Sequence, residues 1–218
     1  MYGFKPIKAD VLAVKLIPNV NEYLKKELQL KPGQRSIGMV TLNIDDVGYT
    51  AIDEATKKAD IEVVYAKSFY AGAAHASGPL SGEFIGILAG PNPAEVKSGI
   101  DATIDFAENE AFFWAADEPG DIAFYAQCIS RTGSYLSAMS EIPEGEPLAY
   151  LIAPPIEAIY AIDAAIKAAE VKMTAFFAPP SETNFGGALL TGSQSACKAA
   201  CDAFAAAVME VAAYPKRY

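Results

Sequence analysis

The side chains that could do chemistry in this sequence are few, and their spacing limits what they can do. Asp45 and Asp46 come just after an apolar run ending at Leu42, with Asn43 and Ile44 between, at a strand-to-turn junction where side chains are expected to be displayed rather than buried. Glu83 opens a later apolar run. Three carboxylates with no nearby histidine suit a compact ammonium or a hard metal ion, because both take oxygen ligands and offset the mutual repulsion of the acids. Solvated turn acids are the other reading. His75 is the single histidine, which excludes a multi-histidine metal cage. Ser77 and Ser81 lie near it, but no G-x-S-x-G elbow accompanies them. Gly86–Gly90 lacks the Gly-Lys-Ser/Thr ending of a phosphate-binding loop. Cys197 and Cys201, one helical turn apart, read as small core residues rather than a metal or redox pair.

The elements that position these residues are written twice. Ala51, Ile52, Asp53, Ala55, Lys57 and Ala59 recur 110 positions later as Ala161, Ile162, Asp163, Ala165, Lys167 and Ala169. Upstream, Ile17, Tyr23 and Leu24 recur 112 positions later as Ile129, Tyr135 and Leu136; downstream, Leu88, Gly90 and Ala94 recur 102 positions later as Leu190, Gly192 and Ala196. Three blocks in one order mean that a whole unit is duplicated, with domains expected at residues 1–110 and 111–218. Each unit reads as a strand, a polar linker, a second strand, an alanine-rich helix, two strands and a long closing helix. Asn92, Pro93 and Glu95 announce the first closing helix through a cap, a proline at the first helical position and an Asn-x-x-Glu box. Each unit is therefore an α+β sandwich. The acids are not duplicated: 110 positions on from Asp45 and Asp46 lie Pro155 and Ile156, and 102 positions on from Glu83 lies Phe185.

Composition narrows the function classes further. A chain of 218 residues, 52% of them hydrophobic, can bury a core without disulfides or metals. Its net charge of −10 argues against nucleic acid, which needs a basic surface. The opening residues lack the apolar stretch of a secretory signal, and the alanine-rich stretch 203–214 is interrupted by Glu210, so no membrane span is expected. Three cysteines without a CxxC fit a reducing, cytoplasmic setting.

The order of elements resembles the bacterial microcompartment (BMC) shell fold, whose A-x-D-x-x-x-K-A-A-x-V helix appears at Ala161–Val171 and, in part, at Asp53 and Lys57. The strand that closes the ordinary family unit in Ile-Pro looks like Val11–Pro18, here at the front, a circular permutation. Together with DDVGYTAIDEATK, VVYAKSFYAGAAH, GPNPAE, SRTGSYLS, LTGSQSACKAAC and PPSETN, the tandem permuted arrangement is similar to the EutL family of ethanolamine-utilisation shell proteins. That resemblance implies two permuted BMC domains, a homotrimeric pseudohexameric tile in the microcompartment shell, other shell proteins as neighbours, no cofactor and a gated pore rather than catalysis. It also implies an ethanolamine pocket walled by Asp45, Asp46 and Glu83, with Phe112, Thr183 and Asn184 as further lining. Pore-bordering loops would carry Ser68, Tyr70, His75, Ser77, Pro180 and Ser181, and Lys57 and Lys167 would sit at the tile edge. A small-molecule sensor on the same tandem sandwich and a metal-assisted hydrolase are the competing functions.

Overall fold

The computed structural model describes residues 3–69, 78 and 80–217. Two compact units form. The first comprises residues 9–111 together with 133–136, and the second comprises the described residues up to Lys8, then 112–132 and 137 onward.

In the first unit, β2 (Val11–Ile17), β3 (Ser36–Leu42), β4 (Glu62–Ser68) and β5 (Phe84–Gly90) make an antiparallel sheet in the order β2-β3-β5-β4. Helices α2 (Asp45–Lys58) and α3 (Pro93–Asn109) pack on each other and on this sheet. Alternation along β5 sends Phe84 and Leu88 toward the helices, where they join Ile52, Ala55 and Val96 in full burial. Ile87 and Ala89 point to the opposite face and cluster with Val20, Ile37 and Leu30 beside the short α1 (Glu22–Glu27). Asn92 caps α3, accepting the Ala94 and Glu95 N–H groups at 2.9 and 3.0 Å. The expected capping box differs in its other half, because the Glu95 carboxylate accepts the Asp60 N–H at 2.8 Å and so ties the helix to the turn before β4.

In the second unit, six antiparallel strands run β1-β6-β7-β8-β10-β9, comprising β1 (Pro6–Lys8), β6 (Phe112–Ala115), β7 (Ala123–Ile129), β8 (Leu148–Ala153), β9 (Val171–Phe177) and β10 (Gly186–Gly192). Helices α5 (Pro155–Ala168) and α6 (Gln194–Ala213) pack on it around Phe124, Leu151, Leu190, Ala161, Cys197, Cys201 and Phe204, and the short α4 (Ser134–Met139) follows β7. The core placement of Cys197 and Cys201 follows the sequence reading. Residues 6–8 sit in this unit rather than the first because Ile7 pairs with Phe113 across the β1–β6 ladder. Strands of three and four residues are below the length at which alternation can be recognised. Helix α6 is the longest, yet among the described residues no helix is long and apolar enough to cross a membrane.

The duplication is visible element by element. Helix α2 maps onto α5 at a separation of 110, β2 onto β7 and α1 onto α4 at 112, and β5 onto β10 at 102.

Candidate functional site

The acids lie at the junction of β3, α2 and β5. Asp45 and Asp46 form the first turn of α2, whose N-cap, Ile44, has no side-chain hydrogen bond to offer. Carboxylates at this end of a helix meet its positive pole and its unpartnered N–H groups. Asp45 and Asp46 are only 7% and 6% exposed, which corrects the expectation of displayed turn acids. The cause is Gly48. A Cβ there would fall 2.4 Å from the Phe84 ring, so the bare backbone lets the first turn of α2 press onto β5 and encloses the acids beside it.

Glu83 is placed by the turn that enters β5. Its N–H donates to the Leu42 carbonyl at 2.8 Å, and its carbonyl accepts from the Phe69 N–H at 3.0 Å. Gly82 precedes it at φ +62, with its Cα so close to the Leu42 carbonyl that a Cβ would lie 2.1 Å from that oxygen. Only glycine satisfies both conditions. Burial raises the Glu83 carboxyl above the ordinary carboxylate range, and the charge of Asp45 raises it further, which places these two acids within electrostatic reach of each other.

Tyr49, one turn along α2, was not anticipated as part of this group. Its ring stands edge-on to Phe84 with centroids 4.9 Å apart, and its hydroxyl donates to Ser68 Oγ at 3.2 Å. Burial raises its pKa; the Ser68 bond opposes this, while the charges of Asp45 and Asp46 add to it. The structure thus brings one predicted pore-loop residue, Ser68 at the end of β4, to the acids. The signal in the sequence was the spacing Asp45-x-x-x-Tyr49, one helical turn. Among the described residues no group of three or more His, Cys, Asp or Glu side chains is arranged to hold a metal ion.

The remaining candidates belong elsewhere. Tyr70, His75 and Ser77 lie outside the described residues. Phe112 in β6 belongs to the second unit, half-buried, with Lys8 Nζ 5.5 Å from its ring centre. Its neighbour Phe113 is the buried ring, stacked on Phe185 at 6.2 Å and Tyr125 at 5.1 Å. Phe185 thus fills with an aromatic contact the place that Glu83 takes in the first repeat. Pro180, Ser181, Thr183 and Asn184 form the turn between β9 and β10, closed by the Ser181 N–H to the Phe185 carbonyl at 2.7 Å and the Asn184 N–H to the Ser181 carbonyl at 3.1 Å. Asn184 takes φ 71, a conformation asparagine tolerates.

The two repeat lysines differ. Lys167 is exposed and pairs with Asp163 at 2.5 Å, whereas Lys57 is largely covered and pairs with Glu54, with Asp53 at 3.7 Å. Behind that difference is Asp53, which is fully buried and was read in the sequence only as part of a helix pattern. It accepts the Gly133 N–H at 2.8 Å on one oxygen and the Leu136 N–H at 2.8 Å on the other. Burial still raises its pKa against those two bonds and Lys57.

Comparison with known proteins supplies the wider frame. The BMC domain family model matches residues 36–116; that match opens at β3 and leaves out β2, the strand that the permutation moves to the front. The chain is 62% identical to the bacterial microcompartment shell protein EutL of Clostridium perfringens over 209 residues, 96% of each chain. It is 53% identical to EutL of Escherichia coli, covering 96% of this chain and 95% of that one. Its fold superposes on the crystal structure of the ethanolamine utilization protein EutL from Leptotrichia buccalis with a TM-score of 0.96 at 63% identity, covering 99% and 100% of the two chains.

Proposed function

Because the chain belongs to the EutL family of bacterial microcompartment shell proteins, whose role is structural, we propose that it is a homotrimeric tile that passes small metabolites through a gated pore and binds ethanolamine in each subunit. The observation that carries the ligand reading is the acidic group present in one repeat and absent from the other: Asp45, Asp46 and Glu83, with the Tyr49 and Ser68 hydroxyls beside them. A duplicated scaffold has no structural need for three acids at one of two equivalent places. A primary ammonium offers three N–H donors to these carboxylates and relieves the repulsion that raises Glu83, and a neighbouring hydroxyl of the ligand suits the serine and tyrosine oxygens. Lys57 and Lys167 are the tile-edge residues of the proposal, and other shell proteins are its neighbours.

Ethanolamine shifts the populations of open and closed pore states only to the extent that its affinity differs between them. Calorimetric titration of ethanolamine into the wild type and Glu83→Gln tests the site. Loss of one charge-assisted hydrogen bond is expected to weaken binding by about 1.5–3 kcal/mol. Equal affinities would remove Glu83 from the site.

A further inference from the structure

The connection from α1 to β3 and its copy from α4 to β8 share one backbone and carry opposite charge. At a separation of 112, three hydrogen bonds repeat. The Gln29, Leu30 and Gln34 N–H groups donate to the Lys26, Lys25 and Lys31 carbonyls at 3.1, 2.9 and 3.0 Å. In the copy, the Glu141, Ile142 and Glu146 N–H groups donate to the Ala138, Ser137 and Pro143 carbonyls at 3.3, 3.0 and 3.3 Å. The left-handed positions repeat as well: Gln29 (φ 53) and Gly33 (φ 95) match Glu141 (φ 52) and Gly145 (φ 93). On this common frame, residues 25–35 set Lys25, Lys26, Lys31 and Arg35 against Glu27 alone, a net charge of +3. Residues 137–147 carry Glu141, Glu144 and Glu146 and no cation, a net charge of −3. The turn geometry therefore requires neither sign, and a local excess of cations runs against a chain whose net charge is −10.

The cations converge. Lys25, Lys26, Lys31 and Arg35 line one cleft of about 650 Å³, with Leu30 and Gly33 in its wall. Two of the four are held by acids, Lys25 Nζ by Glu22 and Lys31 Nζ by Glu62, each at 2.7 Å. Gln34 fixes that second pair, its amide donating to Glu62 at 2.9 Å while its oxygen accepts the Lys31 N–H at 2.8 Å. Lys26 and Arg35 are exposed and form no ion pair among the described residues. The cleft thus keeps two uncompensated charges, matching a dianion. The copy also shows that this surface stays open: beside segment 133–136, whose Gly133 and Leu136 N–H groups are bonded to Asp53, Ala138, Pro143, Glu144 and Glu146 remain exposed.

We propose that this cleft is an anion site for a small organic phosphate, with Lys26 and Arg35 meeting its phosphoryl oxygens. Arginine offers a planar fork that matches two such oxygens, and lysine adds a mobile point charge. The lining comes from one short stretch, residues 22–35. Cations gathered in a single cleft suit several charges on one or two phosphorus centres. An acidic peptide spreads its charges over about 3.3 Å per residue and would need a strip of cations instead. The site is separate from the acidic group of α2 and β5 and does not depend on the ethanolamine reading.

The test is calorimetric titration of inorganic pyrophosphate into the full chain. Wild type is expected to bind one pyrophosphate per chain, with an affinity that falls as sodium chloride is added, because exposed charges are screened beyond about 10 Å at 0.1 M. Lys26→Gln and Arg35→Gln are each expected to weaken binding about tenfold with unchanged far-UV circular dichroism. A control with two other exposed lysines neutralised, Lys58→Gln and Lys97→Gln, is expected to keep the wild-type affinity. No binding to wild type, or full affinity in Lys26→Gln and Arg35→Gln, would overturn the site. Equal weakening in the control would reduce it to the general field of the protein and overturn it too. A glutamate-rich peptide that binds through Lys26 and Arg35 where pyrophosphate does not would overturn the phosphate assignment. Ethanolamine affinity is expected to be the same in every variant, so failure here is distinguishable from failure of the ethanolamine site.

Discussion

At the residue scale, one environment sets the behaviour of Glu83. Burial and Asp45 hold its carboxyl above the ordinary range, so its contribution to stability is present below the unfolded-state pKa and is lost as pH rises through the raised folded value. A bound ammonium has the opposite preference and favours the ionised acid. Ethanolamine affinity is therefore expected to rise with pH through that raised value, and binding there should release a proton. Calorimetry in two buffers of different ionisation enthalpy measures this, and a buffer-independent heat would count against the linkage. Cys128 makes a second case. The Cys201 thiol donates to its sulfur and Lys198 lies near, so its pKa falls to about 7, while burial pushes Cys197 up to about 11. Iodoacetamide is expected to label half-buried Cys128 first, with half-maximal rate near pH 7, and mass spectrometry of the alkylated peptides would show it. Neither environment was legible beforehand. The sequence supplied the acid types and their absence from the second repeat, but the enclosure of Asp45 and Asp46 depends on how closely Gly48 lets α2 approach Phe84.

At the element scale, duplication made the fold readable. Separations of 110, 112 and 102 found in matched residues are the separations between whole helices and strands. What escaped were α1 and α4, six residues each within polar connections, and the burial of Asp53. A signal for the latter did exist, since Asp53 shares a stripe with Asp46 and Thr50, both of them buried. Replacing Asp53 by alanine leaves the Gly133 and Leu136 N–H groups without their acceptor and is expected to cost about 2–4 kcal/mol in denaturant unfolding. Gly48→Ala drives a methyl into the Phe84 ring and is expected to cost about 1–3 kcal/mol. It should also weaken ethanolamine binding, because α2 must back away from β5; unchanged affinity would separate the site from this packing.

At the scale of the whole molecule, each unit holds a piece of chain from beyond its own stretch: residues 6–8 lie in the second, and residues 133–136 in the first. The repeat showed two like α+β units and the resemblance in motifs gave them the BMC shell architecture, but this exchange was not visible, because the exchanged pieces are short and lie far along the chain from their partners. A fragment ending at residue 111 is accordingly expected to lack cooperative unfolding, since Asp53 would be asked to desolvate with no donors to meet it; a sharp transition in that fragment would contradict the assignment. The exchange also imposes an order on biosynthesis. Strand β1 leaves the ribosome first, yet β6 follows about a hundred residues later, a wait of about 5–20 s at about 5–20 residues per second. For the first unit the clock stops only when Leu136 has emerged. Until then a nascent chain carries an open sheet edge and an unfinished helix face, the interval in which protection by a chaperone would matter most.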